Sequence, residues 1–128
     1  MTISKLINDC KDKYKENYRY FLVGSMARGE KNPKDIDIIV YPSYHKLNYL
    51  KEWKQLLKKM NVKIGKKRVD AQIVPEFYLV LNNEWQNADF NKYVFTKGKI
   101  DHRVAPMINE THKKQGYTKE FPFVYEEL

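Results

Sequence analysis

Apolar residues in the first fourteen positions recur every three or four places: Ile3, Leu6, Ile7, Cys10 and Tyr14 share one stripe. That period predicts an amphipathic helix over residues 3–14, with Thr2 or Ser4 available as N-cap. Residues 18–23 then carry no polar side chain after Arg19 and are aromatic or branched, which predicts a buried strand ended by Gly24. A short helix should open at Ser25 or Met26 and stop near Asn32-Pro33. Residues 35–41 alternate polar and apolar before running apolar, giving a second strand. Leu47, Leu50, Trp53, Leu57 and Met60 restore the helical spacing and predict a helix over 44–60, with Trp53 in the core. Residues 62–64 and 68–74 read as strands of a hairpin turned at Gly65-Lys66 and closed by Pro75. Beyond them, 76–94 reads as partly helical with a break at Asn82-Asn83. Residues 99–115 read as helical, with Pro106 at a helix start or a kink.

A chain of 128 residues, 42% hydrophobic and 31% charged, fits one soluble globular domain. The net charge of +8 comes mostly from lysine and favours polyanionic partners. Cys10 is the single cysteine, so an intramolecular disulfide and a cysteine-based zinc site are excluded and a reducing, cytoplasmic setting is expected. The sequence opens without a cationic-then-apolar signal peptide, and its longest apolar runs are too short to cross a bilayer. No membrane association is expected. His45, His102 and His112 share no metal-ligand spacing.

The chemistry lies in residues 24–37. In a strand, side chains two apart leave the same face, so Asp35 and Asp37 project together while Ile36 and Ile38 turn inward. Carboxylates that close repel unless a cation relieves them, and Mg²⁺ prefers such hard oxygen ligands. Asp70, on the strand of residues 68–74, supplies a third carboxylate. Three carboxylates suit two metal ions that clamp both oxygens of an in-line phosphoryl displacement, with Mn²⁺ able to substitute for Mg²⁺. Gly24 allows close backbone approach, the following helix start offers unpaired N–H groups, and Ser25 and Arg28 add donors for phosphate. Lys63, Lys66, Lys67 and Arg68 surround the hairpin before Asp70, as a solvated turn or as contacts to nucleic-acid phosphates.

Gly-Ser-Met-Ala-Arg-Gly-Glu-Lys-Asn-Pro-Lys-Asp-Ile-Asp resembles the signature of the DNA polymerase beta nucleotidyltransferase superfamily, and within it the palm of family X DNA polymerases. Arg68-Val-Asp-Ala-Gln-Ile-Val-Pro75 resembles that family's strand bearing the third carboxylate. The resemblance implies an α/β (α+β) palm, a mixed and mostly antiparallel sheet backed by two helices. Residues 1–96 would form it, and 97–128 a small helical extension. It implies that Gly24, Ser25 and Arg28 bind an incoming (d)NTP, that Asp35, Asp37 and Asp70 are catalytic and hold the two metals, and that Arg68 faces the primer-terminal phosphate. Lys66 and Lys67 would join Arg68 on the nucleic acid, DNA being the expected polymer. At 94–96 a weaker similarity reaches the family's aromatic-Thr-Gly-Ser turn, but Lys97 precedes Gly98 and no serine follows. The activity implied is a minimal gap-filling or repair-type polymerase, of a size that suits viral or mobile-element proteins. The same motif is similar to antitoxin-type nucleotidyltransferases, which move AMP onto a partner protein; a catalytically idle palm is the further alternative.

Overall fold

The computed structural model describes residues 1–43, 50–82, 94–101 and 124–128. Helix α1 spans Ile3–Tyr14, and Thr2 caps it by accepting a hydrogen bond from the Lys5 amide at 3.1 Å. Strand β1 (Tyr18–Val23) leads into the single turn of α2 (Gly24–Ala27) and strand β2 (Asp35–Pro42). Helix α3 is described over Leu50–Met60; the earlier part of the expected helix, 44–49, lies outside the described residues. The hairpin follows as β3 (Lys63–Ile64) and β4 (Lys67–Ile73), then a 3₁₀ turn at Pro75–Phe77 and the short α4 (Tyr78–Leu81).

Two further strands, β5 (Val94–Thr96) and β6 (Lys99–Asp101), form a second hairpin. Here the expected helix over 99–115 is corrected at its start. Lys97 and Gly98 both adopt positive φ, 52° and 78°, and such a two-residue turn sends the chain back as a strand. The boundary expected after residue 96 thus falls at the tip of this hairpin; residues 102–123, which carry the rest of the expected helix, lie outside the described residues.

The strands join one sheet in the order β6-β5-β4-β2-β1-β7, with β3 attached to β4 and β7 formed by Glu126–Glu127. Only the β2–β4 pairing is parallel among the described strands, the crossover being α3. One face buries Tyr20, Leu22, Ile36, Ile38, Val40, Val69, Ala71 and Ile73 against Leu6, Ile7 and Cys10 of α1 and Trp53, Leu56 and Met60 of α3. Tyr18 ties the layers by donating to Glu52 Oε1 at 2.6 Å. The opposite face is apolar only in part, where Phe21, Val23 and Ile39 pack on Val74, Phe77 and Val80. The rest of that face is left to the acidic residues.

The tail closes the β1 edge. Glu127 pairs with Phe21, the Leu128 amide donates to the Tyr20 carbonyl at 2.8 Å, and Arg19 holds Glu127 through two bonds of 2.7 and 2.8 Å. Tyr125 meets Phe21 and Phe77 edge-on at 5.7 and 5.8 Å. Without these residues β1 is an apolar strand with unpaired backbone groups, a template for self-association. Deleting residues 124–128 is expected to lower stability by about 1–3 kcal/mol and to give concentration-dependent association in light scattering. An unchanged melting curve and a monomer at all concentrations would contradict this role.

Candidate active site

The acidic site starts from strand register. β2 and β4 align Asp35 with Arg68, Asp37 with Asp70 and Ile39 with Gln72. Alternation sends all of these to the face away from α1 and α3, while Ile36, Ile38, Val69 and Ala71 are buried beneath the helices. Asp37 and Asp70 are therefore abreast on adjoining strands, a separation that side chains bridge easily.

β1 contributes the third wall. Val23 is opposite Asp37, so Gly24 lies directly beside the Asp37 carboxylate. A Cβ placed on Gly24 would run into Asp37 Oδ2, and would sit 3.1 Å from Cγ and 3.2 Å from the Asp37 Cβ. Gly24 also holds φ at +72°, in the left-handed region. Both the space and the backbone reserve this position for glycine. The turn after it is short: Arg28 N–H returns to the Gly24 carbonyl at 3.1 Å and Glu30 N–H to Ser25 at 3.0 Å. In a single-turn helix the Ser25 and Met26 amides have no intrahelical acceptor, so they can serve an anion placed there. Since α2 packs on β2, the turn and the acids are neighbours.

Electrostatics link these groups. Burial, then the charges of Asp70 and Asp35, push the Asp37 carboxyl up to about 6, and the Arg28 guanidinium pulls the other way. Arg28 is mostly covered, with 16% of its side chain exposed, and its two contacts to Glu30 Oε1 are both 3.4 Å. Bonds that long hold it weakly and leave the guanidinium able to turn to a stronger anion. Asp35 and Asp70 are exposed.

Among the described residues no three His, Cys, Asp or Glu side chains stand close enough to make a ready cage for a metal ion. The backbone register sets Asp37 beside Asp70, and the charges of Asp70 and Asp35 both reach the Asp37 carboxyl. All-oxygen donors that repel one another fit a hard divalent cation. Asp35, Asp37 and Asp70 are thus the residues that could hold one.

The basic residues divide. Arg68 stands on the acidic face, and Lys63, its partner across the β3–β4 hairpin, leaves the same side. Lys66 is exposed at the turn. Lys67 alternates to the other face with Val69, is half-buried, and is not brought to the acids. Of the four basic residues expected around the hairpin, the register singles out Lys63 as the one that shares a face with Arg68.

A mixed open sheet with helices over one face and acids beside a Gly-Ser turn on the other is the architecture of a nucleotide-transferring palm. The chain belongs to the nucleotidyltransferase domain family, whose model matches residues 3–102, and through it to the DNA polymerase beta-like nucleotidyltransferase superfamily. No curated protein and no solved structure shows significant similarity to it. Family membership makes it a transferase that moves a nucleoside monophosphate from a nucleoside triphosphate. No helix among the described residues is long and apolar enough to cross a membrane.

Proposed function

We propose that the chain is a minimal polymerase-type nucleotidyltransferase, which joins a nucleoside monophosphate from a (d)NTP to the 3′-hydroxyl of a nucleic acid, in the first instance DNA. The observation that carries this choice of acceptor is Arg68 aligned with Asp35, with Lys63 outside it on the same face. A cationic rim there suits a phosphodiester backbone running past the acids.

In this reading Asp35, Asp37 and Asp70 hold two divalent ions, Mg²⁺ or Mn²⁺. What bound metal supplies is neutralisation of the triphosphate and a more acidic acceptor hydroxyl. The Gly24-Ser25 turn and Arg28 donate to the phosphate oxygens and fix the triphosphate in line. A carboxylate oxygen of Asp70 accepts the proton of the 3′-hydroxyl. The freed oxygen bonds to the α-phosphorus, and the bond to the β-phosphate breaks with its electron pair leaving on pyrophosphate. Arg68, with Lys63 and Lys66, holds the acceptor strand by its phosphates.

Incubation with Mg²⁺, labelled dNTPs or NTPs and a gapped duplex is expected to extend the primer. Arg68→Ala should weaken DNA binding similarly across sequences and reduce the salt slope of affinity by about 1. Label recovered on protein in place of DNA would replace the nucleic-acid acceptor with a protein one, as in the antitoxin-type enzymes. Absence of turnover with any acceptor would reduce the chain to a binding module.

A further inference from the structure

The side of β4 facing away from β2 has an interrupted ladder. Val69 N–H donates to the Val62 carbonyl at 2.9 Å, and further along Ile73 pairs with Phe95 of β5. Between them β3 has ended and β5 has not begun, so Ala71 N–H faces no strand. The side chain of Asn61 fills that place: its Oδ1 accepts from Ala71 N at 2.7 Å.

We propose that Asn61 is a positioning residue for Asp70. This inference rests on the reading of Asp70 as a metal ligand. The peptide unit that carries the Ala71 N–H also carries the Asp70 carbonyl carbon, so anchoring it fixes ψ of Asp70 and with it the direction of the carboxylate. The main chain at Asn61 is itself anchored, because its backbone N–H donates to the Leu57 carbonyl at 2.8 Å at the end of α3. The adjoining Val62 amide donates to Met60 at 2.8 Å and its carbonyl serves Val69, so residues 60–62 clamp β4 on both sides of Asp70. Helix α3 is held by Trp53, Leu56 and Met60, which are at most 1% exposed. Through Asn61, itself exposed, the backbone at Asp70 is tied to the end of a core helix.

The residue type fits the task. An amide oxygen accepts the hydrogen bond without bringing a charge to the peptide next to Asp70. Partners that orient metal ligands from behind are worth on the order of 10–100-fold in metal affinity or activity.

The test compares Asn61→Leu, which keeps the bulk and loses the acceptor, with Asn61→Asp, which keeps an acceptor. The first readout needs no turnover: Mn²⁺ is titrated into the free protein and line broadening of the Asp35, Asp37, Asp70 and Ala71 amides is followed by NMR. In the unaltered protein the four amides should broaden together. In Asn61→Leu, broadening of all four amides should require about tenfold more Mn²⁺, with faster hydrogen exchange at Ala71. In turnover, the half-saturating Mg²⁺ should rise and kcat fall about 10–100-fold with nucleotide KM little changed, and Asn61→Asp should recover most of both. Identical Mn²⁺ curves for the variant and the unaltered protein would overturn the positioning role. No broadening at any of these amides in the unaltered protein would instead overturn the metal reading on which it rests. If Asn61→Leu fails to fold, Asn61→Ala decides: a raised Mn²⁺ requirement with faster exchange at Ala71 supports the role, and a wild-type Mn²⁺ curve overturns it.

Discussion

Replacing Asp37 by Asn is expected to abolish nucleotide transfer, by at least about a thousandfold, and at the same time to stabilise the fold at neutral pH. Asp37 is the most enclosed of the three carboxylates, and burial together with Asp70 and Asp35 raises it from 3.8 to about 6. A folded value above the unfolded one means that the charged side chain opposes folding. The penalty is fully present above about 6, fades between 6 and 3.8, and is absent below 3.8, where both states are protonated. Discounted for the part of the group that solvent still reaches, it is on the order of 1–2 kcal/mol. Asp37→Asn should therefore melt roughly 3–8 °C higher at pH 7.5 and no higher at pH 3.5. Addition of Mg²⁺ and nucleotide should reverse the order, because ligand binding stabilises only the protein that can bind it. A variant that melts lower at pH 7.5, or that retains transfer, would contradict the assignment of this carboxylate.

The second large effect is expected from Gly24→Ala. One methyl group is added, but it lands against Asp37 Oδ2, on a backbone at φ +72°. The left-handed conformation costs a non-glycine residue about 1–2 kcal/mol, and Asp37 must rotate away to make room. Stability should fall by about that amount or somewhat more, and transfer by at least about a hundredfold because the carboxylate proposed to hold the metal has moved. Gly29 is the control. It too has positive φ, 72°, but a Cβ there meets nothing within 4 Å. Gly29→Ala should thus show the backbone cost alone and keep its activity. Equal losses of activity in the two variants would show that Asp37 packing is not what makes Gly24 necessary.

Much of this architecture was legible from the alternation of residues alone. The run from Asp35 to Val40 has apolar residues at 36 and 38 and carboxylates between them, and the strand delivers both sets to opposite faces as expected. α1 and its Thr2 cap follow directly from a three-to-four period and one hydroxyl. The start of the helix expected from residue 99 is a strand because the Lys97-Gly98 turn, with both residues at positive φ, folds 99–101 back onto β5, a pairing that local residue pattern does not carry. Lys67 shows what charge clustering leaves open. Charge clustering in sequence grouped it with Arg68, whereas alternation in the folded sheet sends the two to opposite faces.

The sequence by itself determined the local elements and what they present: a Gly-Ser turn after a buried strand, and aspartates spaced for one strand face. These are short-range properties, set by side-chain type and by the period of the backbone. What the tertiary structure alone decided is which of those residues meet. The parallel register that sets Asp37 beside Asp70, the packing of Asp37 on Gly24, and the reach of Asn61 to Ala71 join positions ten to more than thirty residues apart. No local propensity encodes such pairings, because each depends on where the common core under α1 and α3 draws the strands together.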